Sequence, residues 1–144
     1  MTRISSAIRL GARERVAAGE PRFNKRYEEL TPAERKVVLE DYAGLGPGDE
    51  PPYPADGLAP VVRQVVHLEA RANIDGPMEL IVDVDPGGEA LDVAVYKTPD
   101  IAMAKAVSAV LMQTHFKPAK CAGHPCDGQY KFSFLFRRYL TPAR

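Results

Sequence analysis

Cys121 and Cys126, separated by Ala-Gly-His-Pro, are the residues whose types and spacing most invite a chemical reading. Gly123 and Pro125 can bend the spacer so that the two side chains approach. A disulfide needs α-carbons about 4.4–6.8 Å apart, which a bent loop can supply. That predicts a structural disulfide closing a short loop, with a contribution at the low end of about 2–4 kcal/mol. Three alternatives stay open. His115, Cys121, His124 and Cys126 offer two nitrogens and two sulfurs, a zinc set in kind but not in the spacing of a standard module. A thiol-redox pair would ordinarily carry Cys-x-x-Cys and a helix N-terminus behind it, and neither is present. Two free buried thiols are the last possibility.

Other chemistry finds less support. Asp83, Asp85 and Asp92 fall on strand faces, where charged residues ordinarily meet solvent. Ser108 sits in a helical pattern with no His and Asp arranged around it, so a hydrolase is unsupported. The Gly87-Gly88 turn lacks the spacing of a phosphate loop. His67 borders an apolar arc and reads as an exposed or core-edge residue. These readings predict no catalytic residue, no metal site and no cofactor.

The elements that would position the cysteines are legible around them. Met78, Leu80, Val82 and Val84 alternate with Glu79, Asp83 and Asp85, which reads as a half-buried strand. Pro86-Gly87-Gly88 turns the chain, and Leu91, Val93 and Val95 alternate again, making a hairpin. Thr98-Pro99-Asp100 opens a helix, with Thr98 as cap, Pro99 at the first position, and Met103, Val107, Val110 and Leu111 as its apolar stripe. Phe116 and Pro118 end it. A last strand carries Tyr130, Phe132, Phe134 and Phe136 on one face. Lys131, Ser133, Leu135 and Arg137 take the other, with Arg138 beyond.

Direction then fixes topology. The first strand runs up, the second down, the helix up and the last strand down. An all-antiparallel, three-stranded sheet therefore takes the order second-first-third, written 2-1-3, with helices packed on one face. The fold class is α+β. The aromatic strand lies at an edge, and an edge offers backbone groups that a protein must protect or use. One core is expected from Leu80, Val82, Val84, Leu91, Val93, Val95, Val107, Val110, Leu111 and Phe132.

The segment from about residue 76 to 138 resembles the C-terminal domain of TonB-type energy transducers. The resemblance rests on Gly76, on Val82-Asp83-Val84-Asp85-Pro86-Gly87-Gly88, on the helix after Thr98-Pro99-Asp100, on Phe116-Lys117-Pro118-Ala119, on Gly123-His124-Pro125 and on the alternating aromatic strand. Pro51-Pro52-Tyr53-Pro54 resembles that family's proline-tyrosine-proline lead-in. The resemblance implies a periplasmic module that captures an extended protein segment beside its last strand. In the best-known members that segment belongs to an outer-membrane transporter. Tyr130, Lys131, Phe132, Ser133, Phe134, Leu135, Phe136, Arg137 and Arg138 would form the partner-binding edge. Known transducers also carry an N-terminal anchor and a long proline-rich spacer; the chain as given shows neither, and has instead a helical region from Pro60 to Ala72.

The rest of the chain sets bounds. Its 144 residues make one domain with an added N-terminal piece, read as a helical extension over 1–45 and an α+β domain over 46–144. Nineteen basic residues balance nineteen acidic ones, which argues against a nucleic-acid partner. No run approaches the roughly 18 apolar residues of a membrane span. Ile4, Ala7, Ile8, Gly11, Ala12 and Arg15 are spaced like a weak helix face. Thr31-Pro32-Ala33-Glu34 is a capping box that starts a helix through Ala43. Met1 to Glu20 has no continuous apolar core of a signal peptide. The compartment expected from the resemblance and the cysteines is the periplasm, with the cytoplasm as alternative. The function expected is non-enzymatic binding of a protein or peptide segment, with a homodimer as an allowed assembly. The competing class is a cysteine/histidine metal-binding or thiol-redox protein.

Overall fold

The computed structural model describes residues 25–136 and the backbone of the strand Ala7–Ile8. Its strands are β1 (Ala7–Ile8), β2 (Tyr53–Pro54), β3 (Gly76–Val84), β4 (Ala90–Lys97), β5 (Phe116–Lys117), β6 (Ala119–Cys121) and β7 (His124–Phe136). Its α-helices are α1 (Pro32–Leu39), α2 (Ala59–Glu69) and α3 (Ile101–Met112), with a 3₁₀ turn at Tyr27–Glu29.

The three long strands take the expected order, β4-β3-β7, all antiparallel. The side chains that share the helix-covered face follow from register. Leu80 lies opposite Phe132, Val82 opposite Tyr130, and Met78 opposite Phe134. Val107 and Leu111 of α3, Val61 and Val65 of α2, and Tyr53 join them in one buried cluster.

The sheet is larger than the expected three strands. Ala7–Ile8 pairs in parallel with Asp127–Gly128 on the side of β7 away from β3, and β6 pairs antiparallel with the opening of β7. The order is therefore β1-β7-β3-β4 with β6 added. Ala7 and Ile8, expected on a helix face, are extended. Their helical pattern is too weak to bury an apolar face, and a strand edge supplies the backbone partners that a marginal helix lacks. The remainder of that expected helix lies outside the described residues.

Two expected core residues are on the surface. Val84 pairs with Ala90 while Asp83 pairs with Asp92, so Leu91 is the extra residue of a bulge and is 59% exposed. Val95 lies opposite Leu80 on the outermost strand and is 44% exposed. Val93 and Val110 are partly buried against the core, and the other six expected core residues are fully buried.

Helix starts follow local chemistry. The Thr31 hydroxyl accepts from the Glu34 amide, and the Glu34 carboxylate accepts from the Thr31 amide, closing the expected capping box. This helix ends at Leu39 rather than Ala43. At α3 the cap is Asp100, not Thr98: its carboxylate accepts from the Met103 amide at 2.8 Å. Thr98 instead braces Asp100, accepting from its amide and donating to its carbonyl.

Candidate functional site

The candidate site is the outer side of β7 and the hairpin that introduces it. β7 is held on its inner side by nine residue pairs with β3, from Gly76 opposite Phe136 to Val84 opposite Gly128. Its aromatic face is locked into the core. The Phe134 ring meets the Phe136 ring edge-on at 4.9 Å, and the Tyr130 ring meets Tyr53 at 5.9 Å. The side chains of Tyr130, Phe132, Phe134 and Phe136 are thus buried and fix the strand. Ser133 and Leu135 alternate with them and are half-buried. Arg137 and Arg138 lie outside the described residues.

Lys131 departs from its expected place on a solvent face. Its side chain is 8% exposed and reaches to 3.8 Å from the carboxylate of Glu79, itself 7% exposed. Buried charges are ordinarily found paired, because an isolated charge taken out of water carries a large cost that an opposite charge partly offsets. The Glu79 position on β3 explains the pairing: it faces away from the aromatic core, on the same side as Lys131. Nothing in the alternation of β3 distinguished Glu79 from Asp83, so this pair was not legible beforehand.

The hairpin before β7 is tied at several points. Cys121 in β6 and Cys126 in β7 are paired at disulfide distance, with α-carbons 5.8 Å apart. The cysteines therefore lie within paired strands, not in a loop ahead of the last strand, which begins already at His124. At the tip, the Asp49 carboxylate accepts from the Ala122 amide at 2.8 Å and from the Gly46 amide at 2.8 Å. The Gly123 amide donates to the Gly48 carbonyl, and Glu50 and Lys120 exchange backbone bonds. The two amides, that of Gly46 first, hold the Asp49 carboxyl below its ordinary range.

Lys117 is a second missed feature. Its ammonium donates to the Pro51 and Pro118 carbonyls, each at 2.9 Å, and pairs with Glu50 at 3.2 Å. It also lies 4.8 Å from the Tyr27 ring centre, with the Arg35 guanidinium 4.6 Å from that centre. Burial lowers the Lys117 pKa, and Glu50 opposes that shift. This hub fastens the proline lead-in. Pro51 to Pro54 are buried, and Tyr53–Pro54 pairs with Phe116–Lys117.

Other candidates do not converge. His115 is exposed and meets Glu89, 3.3 Å from its carboxylate, on the far side of the β3–β4 turn. Both cysteine sulfurs are engaged with each other, so neither is left as a thiolate ligand. Among the described residues, no group of three or more His, Cys, Asp or Glu side chains converges as a metal site. Among those residues, no helix is long and apolar enough to cross a membrane. A cleft of about 290 Å³ between α2, α3 and the turn at Pro54–Gly57 is lined by Asp56, Gln64, Val110, Gln113, Thr114 and His115, and its two ionisable residues, Asp56 and His115, are both exposed.

Residues 67–137 match the family described as the Gram-negative bacterial TonB protein C-terminal. The match begins in the last turn of α2 and takes in β3, β4, α3 and the whole of β5 to β7. No curated protein and no solved structure matches the chain at a significant level.

Proposed function

We propose, from the match of residues 67–137 to TonB C-terminal domains, that this chain is a non-enzymatic periplasmic protein-binding module. It takes up an extended segment of an outer-membrane or periplasmic protein by adding it as a strand beside β7, along Tyr130 to Arg138, in a role linked to outer-membrane transport. The observation that carries this reading is the placement of β7. It is bound to β3 along one side, and on the other, among the described residues, Ala7–Ile8 pairs in parallel with Asp127–Gly128. An edge that accepts a strand from a distant part of its own chain has the kind of geometry that accepts a partner's strand. Backbone pairing supplies affinity, and alternate side chains supply selectivity. With Lys131 paired to Glu79, any preference for acidic segments falls to Arg137 and Arg138. The periplasm is also where the Cys121–Cys126 pair would persist oxidised.

The test is peptide selection by display on the oxidised protein, followed by amide mapping of the selected binders. Perturbed and newly protected amides along β7 are expected. Binders that perturb the cleft between α2 and α3, and leave β7 untouched, would replace strand addition with a groove-binding function.

A further inference from the structure

We propose that the opposite edge of the sheet, β4, is a self-association surface: two copies of the chain pair β4 to β4, antiparallel, across a two-fold axis at Ala94. This surface lies on the far side of the sheet from β7 and does not depend on strand addition there.

β4 ends the order β1-β7-β3-β4, and among the described residues it pairs with β3 alone. A strand edge is a template for a further strand unless charge, proline or irregularity blunts it. β4 is eight residues long and contains no proline. Its register breaks, at Leu91 and Tyr96, leave Asp92 to Val95 regular between them. Four of the six large hydrophobic side chains exposed among the described residues, Leu91, Val95, Tyr96 and Ile101, fall on β4 or just after it.

The register of β4 selects a second copy as the occupant. Asp92, Ala94 and Lys97 lie opposite Asp83, Ile81 and Glu79 of β3, so they share the face away from the helices, at equal steps along the sheet. Val93 and Val95 lie opposite Val82 and Leu80, on the helix-covered face. A two-fold axis through Ala94, perpendicular to the sheet, therefore sets Asp92 of each copy against Lys97 of the other. It also sets Val93 against Val95, and Ala94 against itself. Opposite charges and β-branched pairs across strands are favourable, and like charges directly opposite are not. The charge pairs fix the register. Backbone bonds and the valines carry the affinity, because exposed ion pairs contribute little.

Sedimentation equilibrium of the full chain at up to about 1 mM should show a reversible dimer. Amide protection gained with concentration should fall on β4 and leave β7 unchanged. Asp92→Lys and Lys97→Asp each put like charges face to face twice in the dimer, and each should weaken it about tenfold or more. Mixed together, the two variant chains regain both opposite pairings, so the mixture should associate as the native chain does. A chain that stays monomeric, a dimer that neither variant weakens, or protection gained along β7 instead would overturn the interface. So would losses in the single variants that mixing does not repair. If Lys97→Asp fails to fold, because it sets a carboxylate opposite Glu79, Ala94→Lys takes its place. That change brings two ammonium groups together on the axis and should also cost about tenfold in affinity, and an undiminished dimer would overturn the pairing.

Discussion

A β-carbon on Gly128 would stand 2.6 Å from the Ala119 β-carbon and 3.0 Å from Pro52 Cδ. The clash involves two buried neighbours, a β-carbon and a proline ring, so it cannot be relieved by swinging a flexible side chain. Gly128→Ala should therefore cost about 1–3 kcal/mol, as overpacking does, read from the urea midpoint; an unchanged midpoint would mean that β6 and the lead-in shift at no cost. Asp49 gives a prediction in pH. Its folded pKa is depressed below 3.8, so its contribution is fully present above that value and is lost as pH falls through the depressed one. The native chain should lose stability through that acid window, and Asp49→Asn should be less stable at neutral pH and flatter within the window. Parallel acid titration curves for the two proteins would show that the clamp on Ala122 carries no stability. The cysteine pair makes a third residue-scale claim. Intact mass after alkylation without reductant should be unchanged in exported protein, and two added alkyl groups would refute the disulfide.

At the scale of elements, the contrast between Leu111 and Leu91 is the sharpest check on the packing. Both were expected in the core on the strength of periodicity. Leu111 is fully buried on α3 against the sheet, and Leu91 is the extra residue of a bulge on the outermost strand. Leu111→Ala should cost about 2–5 kcal/mol, and Leu91→Ala should stay within about 0.5 kcal/mol. Thermal or urea unfolding of the two variants side by side decides it, and comparable losses would return Leu91 to the core. The difference shows where reading the sequence works. Alternation located β3, β4 and β7, the Thr31–Glu34 capping box located α1, and chain direction ordered the three long strands. Each of these is set by residues close in sequence. The β3–β4 ladder breaks register twice, between Glu79 and Leu80 and between Asp83 and Val84, and no local pattern in the sequence records either break. Gly88 marks the same kind of constraint. Its β-carbon would overlap the Phe116 carbonyl oxygen, so a turn that looks like ordinary punctuation is also a contact with the start of β5.

At the scale of the molecule, the division at residues 45 and 46 becomes a testable proposal about cooperativity. Composition suggested a helical extension ahead of an independent domain. The described part of 1–45 is joined to the α+β core by its side chains. Tyr27 and Leu30 are buried in the same cluster as Val82 and Phe132. The Tyr27 ring packs on Tyr53 at 5.8 Å, beneath the ammonium of Lys117. The Tyr42 hydroxyl donates to the Gln129 carbonyl of β7 at 2.7 Å. None of these contacts could be read beforehand, because each joins residues tens of positions apart without a motif to announce it. Removing Met1 to Leu45 strips two buried side chains from the core, each worth about 2–5 kcal/mol. Whole domains hold only about 5–15 kcal/mol. The fragment 46–144 should therefore melt at least about 8 °C below the full chain, on the scale of about 2–4 °C per kcal/mol that holds near 150 residues. Differential scanning calorimetry gives the answer directly. One transition in the full chain and a lowered or absent one in the fragment are expected, because β7, the lead-in and Tyr27 share one core. A fragment melting at the temperature of the full chain would make 46–144 the independent unit. Residues 25–45 would then be a cover laid over a finished domain, contributing to its surface and not to its stability.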